Sequence, residues 1–169
     1  MKKYFLALFH LCLLTSSCGP GIPYNKPTIY APSSGNIVRT NSTAGYIANQ
    51  NNNTVSKCTV ESNGTFSNCA TTGSGFNSPL GIFINPNVTF AYVANIGNST
   101  VSVCSINSSD DTFNNCSSTG SGFVSPVAVT INPANTYAYV SNFGDGTVTV
   151  CAVNSSNGTL SGCVSSAQS

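Results

Sequence analysis

One stretch of fourteen residues occurs three times in this chain, and that repetition constrains the fold more than any other feature. The copies read GYIANQNNNTVSKC at 45–58, AYVANIGNSTVSVC at 91–104 and AYVSNFGDGTVTVC at 138–151. Their tyrosines, Tyr46, Tyr92 and Tyr139, stand 46 and 47 residues apart. A period in the forties that is made of short strands is typical of propellers and solenoids. The sequence therefore predicts a repeat architecture.

Each repeat contains four short segments with strand character, separated by Asn, Gly and Pro turn signals. We name these predicted strands a, b, c and d in chain order. They are 36–40, 46–49, 54–60 and 65–71 in the first repeat, 80–84, 90–94, 100–106 and 112–118 in the second, and 127–131, 137–141, 147–153 and 159–165 in the third. Four short strands with tight turns match a propeller blade. We expect an all-β domain over 35–169, a partial β-propeller of three four-stranded antiparallel blades at about 36–71, 80–118 and 127–165, with no helix after the signal.

The first 17 residues have the pattern of a signal peptide. Lys2 and Lys3 precede an apolar run of about eleven residues, which is too short to span a bilayer as a helix. The sequence LTSSC at 14–18 resembles the lipobox of bacterial lipoproteins, in which the cysteine is acylated. This resemblance implies that Cys18 anchors the protein to a membrane through acyl chains. An ordinary cleaved signal peptide, with Cys18 incidental, is the alternative.

The residues after Cys18 bear on location. Residues 18–34 are rich in Pro, Gly and Ser, so we expect a flexible tether there. Gly19 stands where the lipoproteins kept at the inner membrane carry Asp, which implies an outer-membrane location in a bacterial cell envelope.

The repeats resemble a known group of bacterial β-propellers. YIAN at 46–49, YVAN at 92–95 and YVSN at 139–142 are similar to the Tyr-Val-Thr-Asn motif of that group, with Ala or Ser at its third position. The phrase PLGI at 79–82, followed by Asn85-Pro86, is similar as well. The group includes surface-layer and lactonase-like propellers, so the resemblance implies a propeller fold and leaves the activity open.

Six of the eight cysteines occur as one pair in each repeat. Strand c is joined to strand d by the pairs Cys58–Cys69, Cys104–Cys116 and Cys151–Cys163. In the first repeat, a two-residue Asn63-Gly64 turn would place Val60 opposite Ser67 and the two cysteines opposite each other. An exported protein meets an oxidising environment, so we expect three disulfides within blades. Metal binding is the rival interpretation, but the cysteines do not have the spacing usual for zinc ligands and have no histidine partners.

The sequence offers few groups for catalysis. Its single histidine, His10, lies in the predicted signal peptide, which rules out Ser-His-Asp and Cys-His catalysis in the mature domain. Asp145, with Asn52 and Asn98 at equivalent positions, lies on the b–c turns, which face the central entrance of a propeller. These are our candidate ligand-facing residues, although an Asp-Gly turn alone also explains Asp145. We predict no catalytic residue, no metal and no cofactor.

Charge and repeat number limit the partners. Charged residues make up 5% of the chain, and removing Lys2 and Lys3 changes the net charge from +1 to −1, so nucleic-acid binding is not expected.

Closed propellers usually have four to eight blades, and an arc of three blades leaves two apolar faces uncovered. Two chains could close a six-bladed ring as a homodimer, another envelope protein could cover the faces, or the chain could be a shortened relic.

The sequence thus favours a lipid-anchored, extracytoplasmic binding module whose ligand it does not name. A lactonase-like enzyme completed by a second chain is the alternative from another class. A truncated structural protein is the third hypothesis.

Overall fold

The computed structural model describes residues 37–39 and 43–166. The predicted signal peptide, the proposed lipid anchor at Cys18 and the 18–34 tether lie outside the described residues. Over the described part, the chain forms twelve strands in three antiparallel four-stranded sheets. The predicted all-β fold of three blades is therefore confirmed.

Each sheet is one blade, and its strands lie side by side in chain order. Blade 1 comprises β1 (Ile37–Arg39), β2 (Ala44–Asn49), β3 (Thr54–Val60) and β4 (Phe66–Thr71). Blade 2 comprises β5 (Pro79–Ile84), β6 (Phe90–Asn95), β7 (Thr100–Ile106) and β8 (Phe113–Thr119). Blade 3 comprises β9 (Pro126–Ile131), β10 (Tyr137–Asn142), β11 (Thr147–Val153) and β12 (Leu160–Ser166). Connections short enough for hairpins keep consecutive strands adjacent.

One element departs from the expectation of an all-strand domain. Gln50–Asn52 form a short 3₁₀ helix in the turn between β2 and β3. Asn53 ends it in the left-handed conformation, with φ 56°, and its N–H donates to the Gln50 carbonyl. Asn tolerates that conformation better than most residues, so a tight turn of this kind suits the Asn-rich sequence.

The three predicted disulfides are present, with Cα–Cα distances of 4.0 Å for Cys58–Cys69, 4.1 Å for Cys104–Cys116 and 4.1 Å for Cys151–Cys163. The predicted hairpin register was wrong by one residue, because Val60 pairs with Phe66 and not with Ser67. The Glu61 N–H donates to the Thr65 carbonyl, which makes the turn one residue longer than predicted.

A β-bulge compensates for the longer turn in every blade. Two residues of the fourth strand oppose one cysteine of the third, and the first of the two has a positive φ. These residues are Asn68, Asn115 and Gly162, with φ of 49°, 50° and 58°. The bulge shifts the fourth strand by one residue and brings the second cysteine back opposite the first. The predicted disulfides are therefore confirmed, although the register predicted for the first hairpin was wrong.

The apolar core lies between blades. One cluster joins blades 1 and 2 and includes Tyr46, Val55, Ile82 and Phe113. The other joins blades 2 and 3 and includes Tyr92, Val101, Val129, Val140 and Leu160. Each blade thus packs its apolar residues against a neighbouring blade, as in other repeat proteins.

Two features fix the distance between blades. A Cβ atom on Gly81 would lie 2.6 Å from the Val127 carbonyl oxygen, so the approach of β5 to β9 requires a glycine. The Thr72 hydroxyl, after blade 1, accepts the Phe113 N–H of blade 2 at 2.6 Å. The Thr119 hydroxyl accepts the Leu160 N–H of blade 3 at the same distance. Buried threonines thereby satisfy the N–H that opens the fourth strand of blades 2 and 3.

Candidate functional site

The b–c turns join the second and third strands of each blade and carry the predicted ligand-facing residues. They span 50–53, 96–99 and 143–146, and Asn52, Asn98 and Asp145 occupy equivalent positions in them. All three side chains are exposed. Over the described residues, no hydrogen bond joins one of the three to another, and their role in ligand contact stays a prediction.

Two of these side chains are engaged with their own turns. The Asp145 carboxylate accepts the Thr147 N–H at 3.1 Å and the Thr147 hydroxyl at 2.8 Å. The Asn98 side-chain carbonyl accepts the Thr100 hydroxyl at 2.8 Å. Side chains that bond to the residue two positions on, as Asp145 does to the Thr147 N–H and Asn98 to the Thr100 hydroxyl, are typical of turns. Asp145 and Asn98 therefore shape the turns, and their remaining acceptor capacity faces solvent.

A polar cleft of about 300 Å³ lies beside the first of these turns. Among the described residues it is lined by Asn49, Gln50, Asn51 and Asn52, so that part of its wall consists of amide side chains and backbone. An amide side chain offers two N–H donors and a carbonyl acceptor without net charge. Such a cleft suits hydrogen bonding to a neutral polar ligand better than binding of an ion.

The asparagine that ends each repeat motif organises the floor beneath the turns. Asn95 is fully buried, and its amide donates to the hydroxyls of Thr100 and Ser102 at 3.2 and 2.9 Å. Its side-chain carbonyl accepts the Asn77 N–H at 3.2 Å. Asn142 repeats this arrangement with Thr147, Thr149 and the Val124 N–H. These asparagines hold the incoming loop against the b–c turn, a structural role that their buried position requires.

The repeated tyrosines reach across to the next blade. The Tyr46 hydroxyl donates to the Asp111 carbonyl at 2.6 Å, and the Tyr92 hydroxyl donates to the Gly158 carbonyl at 2.8 Å. Burial raises the pKa of Tyr92 to about 12. Burial raises the pKa of Tyr46 too, with further contributions from the charges of Asp111 and Asp110. Both hydroxyls are therefore neutral hydrogen-bond donors at physiological pH.

The acidic pair Asp110–Asp111 lies at the tip of the hairpin between β7 and β8. Hydrogen bonds from the Thr112 hydroxyl and N–H hold the pKa of the Asp110 carboxyl below its usual value. The Lys57 ammonium of blade 1 donates to the Asp110 carbonyl at 2.5 Å. Asp110 is fully solvent-exposed, so this pair offers no protected site for general acid–base chemistry.

Within 37–39 and 43–166, no group of three or more His, Cys, Asp or Glu side chains is arranged to hold a metal ion. In the same ranges, no helix is long and apolar enough to span a membrane.

Comparison with known proteins bears on family and fold. A family model described as "Lactonase, 7-bladed beta-propeller" matches residues 36–169. No curated protein matches the chain.

Solved structures match at low sequence identity. A functionally unknown protein from Desulfotomaculum acetoxidans has 23% identity and a TM-score of 0.65, covering 80% of this chain and 43% of that one. The periplasmic gluconolactonase of Pseudomonas aeruginosa has 15% identity and a TM-score of 0.65, with 81% and 41% coverage. Hydrazine synthase of Kuenenia stuttgartiensis has 17% identity and a TM-score of 0.59, with 86% and 40% coverage. The chain thus spans about two fifths of the length of these structures, and the likeness shows the fold alone.

Proposed function

This chain belongs to the family of lactonases with a seven-bladed β-propeller, and from that premise we propose that it is a lipid-anchored, extracytoplasmic module that binds a neutral polar ligand on its b–c turns. The observation that carries the proposal is the uncharged cleft formed by Asn49, Gln50, Asn51 and Asn52. The Asn49 amide donates to the Thr54 and Ser56 hydroxyls, so a ligand would meet the amides of Gln50, Asn51 and Asn52. They match ligands that present hydroxyl or carbonyl groups, because such groups donate and accept in the same way.

The composition supports binding over catalysis. The only histidine of the chain, His10, falls in the predicted signal peptide. The Asp145 carboxylate accepts two hydrogen bonds from Thr147, which assigns it to the turn. A general base must reach the proton that it removes, and a carboxylate turned toward its own backbone is poorly placed for that task.

Lactone hydrolysis is the second candidate function, and family membership favours it. One of the matched structures is a periplasmic gluconolactonase, which suggests sugar lactones as a substrate class for a first test. In this hypothesis a second chain completes the site around the entrance, and Asp145 acts in it.

One experiment separates the two functions. Glucono-1,5-lactone is added to the purified protein, binding is measured by calorimetry and hydrolysis by proton release. Saturable binding without faster hydrolysis, weakened by Asn52→Ala, supports the binding module. Faster hydrolysis that is lost in Asp145→Ala supports the lactonase and overturns the binding proposal. If the protein neither binds nor hydrolyses glucono-1,5-lactone, sugar lactones are excluded as the ligand class for both hypotheses.

The lipid anchor has its own test. Cys18→Ser removes the proposed acylation site, so we expect the protein to leave the membrane fraction and to lose the mass of its acyl chains. Ser17→Ala is the matched control, since Ala is an equally small residue before the cysteine. A Cys18→Ser protein that still sediments with membranes would contradict the anchor.

A further inference from the structure

Blade 3 has an open face that corresponds to a covered face on each of the other two blades. We call it the forward face, and it includes Ala128, Thr130, Tyr139, Ser141 and Val148 around a cleft of about 320 Å³. Tyr139 is 40% exposed, whereas the equivalent Tyr46 and Tyr92 are fully buried. Val148 is half-buried, and the equivalent Val55 and Val101 are fully buried. The forward face therefore has the shape and chemistry of a blade interface without a blade on it.

Blade 1 shows the complementary half of the same interface. We call it the backward face, and its centre is Phe66 with the neighbouring hairpin residue Gly64. Phe66 is 37% exposed, whereas the equivalent Phe113 is 3% exposed under blade 1. Open space adjoins Gly64, while a Cβ atom on the equivalent Gly158 would lie 2.7 Å from the Phe90 ring. Within the part of the chain that the structure describes, both halves of one repeated interface are thus present and neither is covered.

From this complementarity we infer that the forward face of blade 3 binds the backward face of blade 1 in a second copy of this chain. The contacts follow those between blades 1 and 2, where the Tyr46 ring stacks on Phe113 at 4.4 Å and its hydroxyl donates to the Asp111 carbonyl. In the pair of copies, Tyr139 stacks on Phe66 and donates to the Gly64 carbonyl. Phe66 supplies the aromatic partner that this stacking requires.

One difference makes this contact weaker than the interfaces within the chain. The Asn53 side chain accepts the Ser78 N–H at 2.6 Å, and the Ser99 hydroxyl accepts the Ser125 N–H at 3.0 Å. Gly146 holds the equivalent place in blade 3 and has no side chain to accept a bond. The contact between copies therefore relies on apolar packing and the tyrosine hydroxyl, and we expect it to depend on concentration.

The copies associate head to tail, and this geometry determines whether they form a ring or a longer assembly. A heterologous contact closes into a ring only if the rotation between copies allows it, and otherwise it extends. Two copies bring six blades together, one fewer than the seven in the family description. The contact between copies does not require closure of a ring. The two faces are distinct from the b–c turns, which carry the proposed ligand site.

Two differently tagged copies of the full chain, expressed together and solubilised, provide the test. Tyr139→Lys disrupts the forward face, and Phe66→Lys disrupts the backward face. Phe143→Lys is the matched control, because Phe143 is 77% exposed on a b–c turn and does not line the cleft of the forward face. Disulfide formation in each variant, measured by the absence of free thiols among the six paired cysteines, reports that it has folded.

We expect the wild type and Phe143→Lys to be recovered with their own second copies. Each face variant, paired with itself, loses roughly tenfold or more of that recovery. A Tyr139→Lys copy mixed with a Phe66→Lys copy regains recovery, because one intact interface remains. Absence of a second copy in the wild type overturns the inference. A second result also overturns the inference: recovery of the second copy that is lost in Tyr139→Lys and kept in Phe66→Lys. That pattern would mean that two forward faces meet.

Discussion

Blades 2 and 3 share the same repeat and differ in how much of it is buried. Tyr92 lies in a closed interface and donates to the Gly158 carbonyl, whereas Tyr139 occupies the same position on an open face. The two side chains have equivalent backbone environments, since each is paired with a valine of the next strand, Val103 or Val150. The comparison shows that a blade does not bury its own motif. Burial comes from the neighbour, as expected where stability is a sum of repeat and interface terms.

Removing the whole side chain gives the largest expected contrast between the two positions. Tyr92→Ala leaves a cavity between blades 2 and 3, so we expect the free energy of unfolding to fall by about 3–5 kcal/mol. Tyr139→Ala removes an exposed ring and should change it by about 0.5 kcal/mol or less in the single copy. Urea denaturation followed by circular dichroism, at low protein concentration, measures both. Equal losses would contradict the comparison.

The disulfides should not follow this contrast, because each crosslinks residues of its own blade. Cys104–Cys116 and Cys151–Cys163 both have a sequence separation of 12. Replacing either pair by alanines should cost about 2–3 kcal/mol in the chain-entropy model. Denaturation of the two double variants tests this. A much larger loss in blade 2 than in blade 3 would mean that the neighbours, and not the loop length, determine the effect.

Alkaline pH should weaken the closed interface. Because the folded pKa of Tyr92 is raised to about 12 from 10.0, its stabilising contribution is complete below pH 10 and is lost as pH rises toward 12. At pH 11 this loss amounts to about 1 kcal/mol. Between pH 9 and pH 11, the unfolding free energy should therefore fall by less in Tyr92→Phe than in the wild type. A pH dependence equal to that of the wild type would speak against burial of this hydroxyl.

Removing only the hydroxyl gives the smallest expected effect. Tyr92→Phe deletes the 2.8 Å bond to the Gly158 carbonyl and keeps the ring, so we expect a loss of about 1 kcal/mol at neutral pH. Tyr139→Phe is the matched variant on the open face, with an expected change within about 0.5 kcal/mol in the single copy. Thermal and urea unfolding measure the pair. A larger effect at Tyr139 would reverse the assignment of open and closed faces.

Much of the fold follows from the sequence because the repeat supplies three versions of each strand. The bounds of β3, β7 and β11 agree with their predictions, since alternating valines and threonines between turn signals define them locally. The cysteine pairs followed from the same locality. The register of the first hairpin could not be predicted in this way, because Asn63-Gly64 also fits a turn that is one residue longer. A bulge at Asn68 compensates for the extra turn residue.

The site was harder to predict because its contacts are distant in sequence. The acceptor of the Tyr46 hydroxyl lies 65 residues away, in a hairpin whose approach depends on how two blades pack. The threonines Thr72 and Thr119 were missed for the same reason, although their equal position before a Gly-Ser-Gly loop was a signal. Turn residues such as Asp145 bond to the backbone of their own turn, here the Thr147 N–H, so their type reveals the turn and not the ligand.

The direction of the tyrosine bonds has a consequence for synthesis. Tyr46 and Tyr92 each reach toward a later blade, to acceptors 65 and 66 residues on. At ribosomal rates of roughly 5–20 residues per second, several seconds pass before the acceptor is made. The cysteines of a blade are only 11 or 12 residues apart, so they become available to each other long before the next blade exists. A blade that enters the oxidising compartment ahead of its neighbour can therefore be crosslinked while its tyrosine is still hydrated, which keeps the sheet in register until the neighbour arrives.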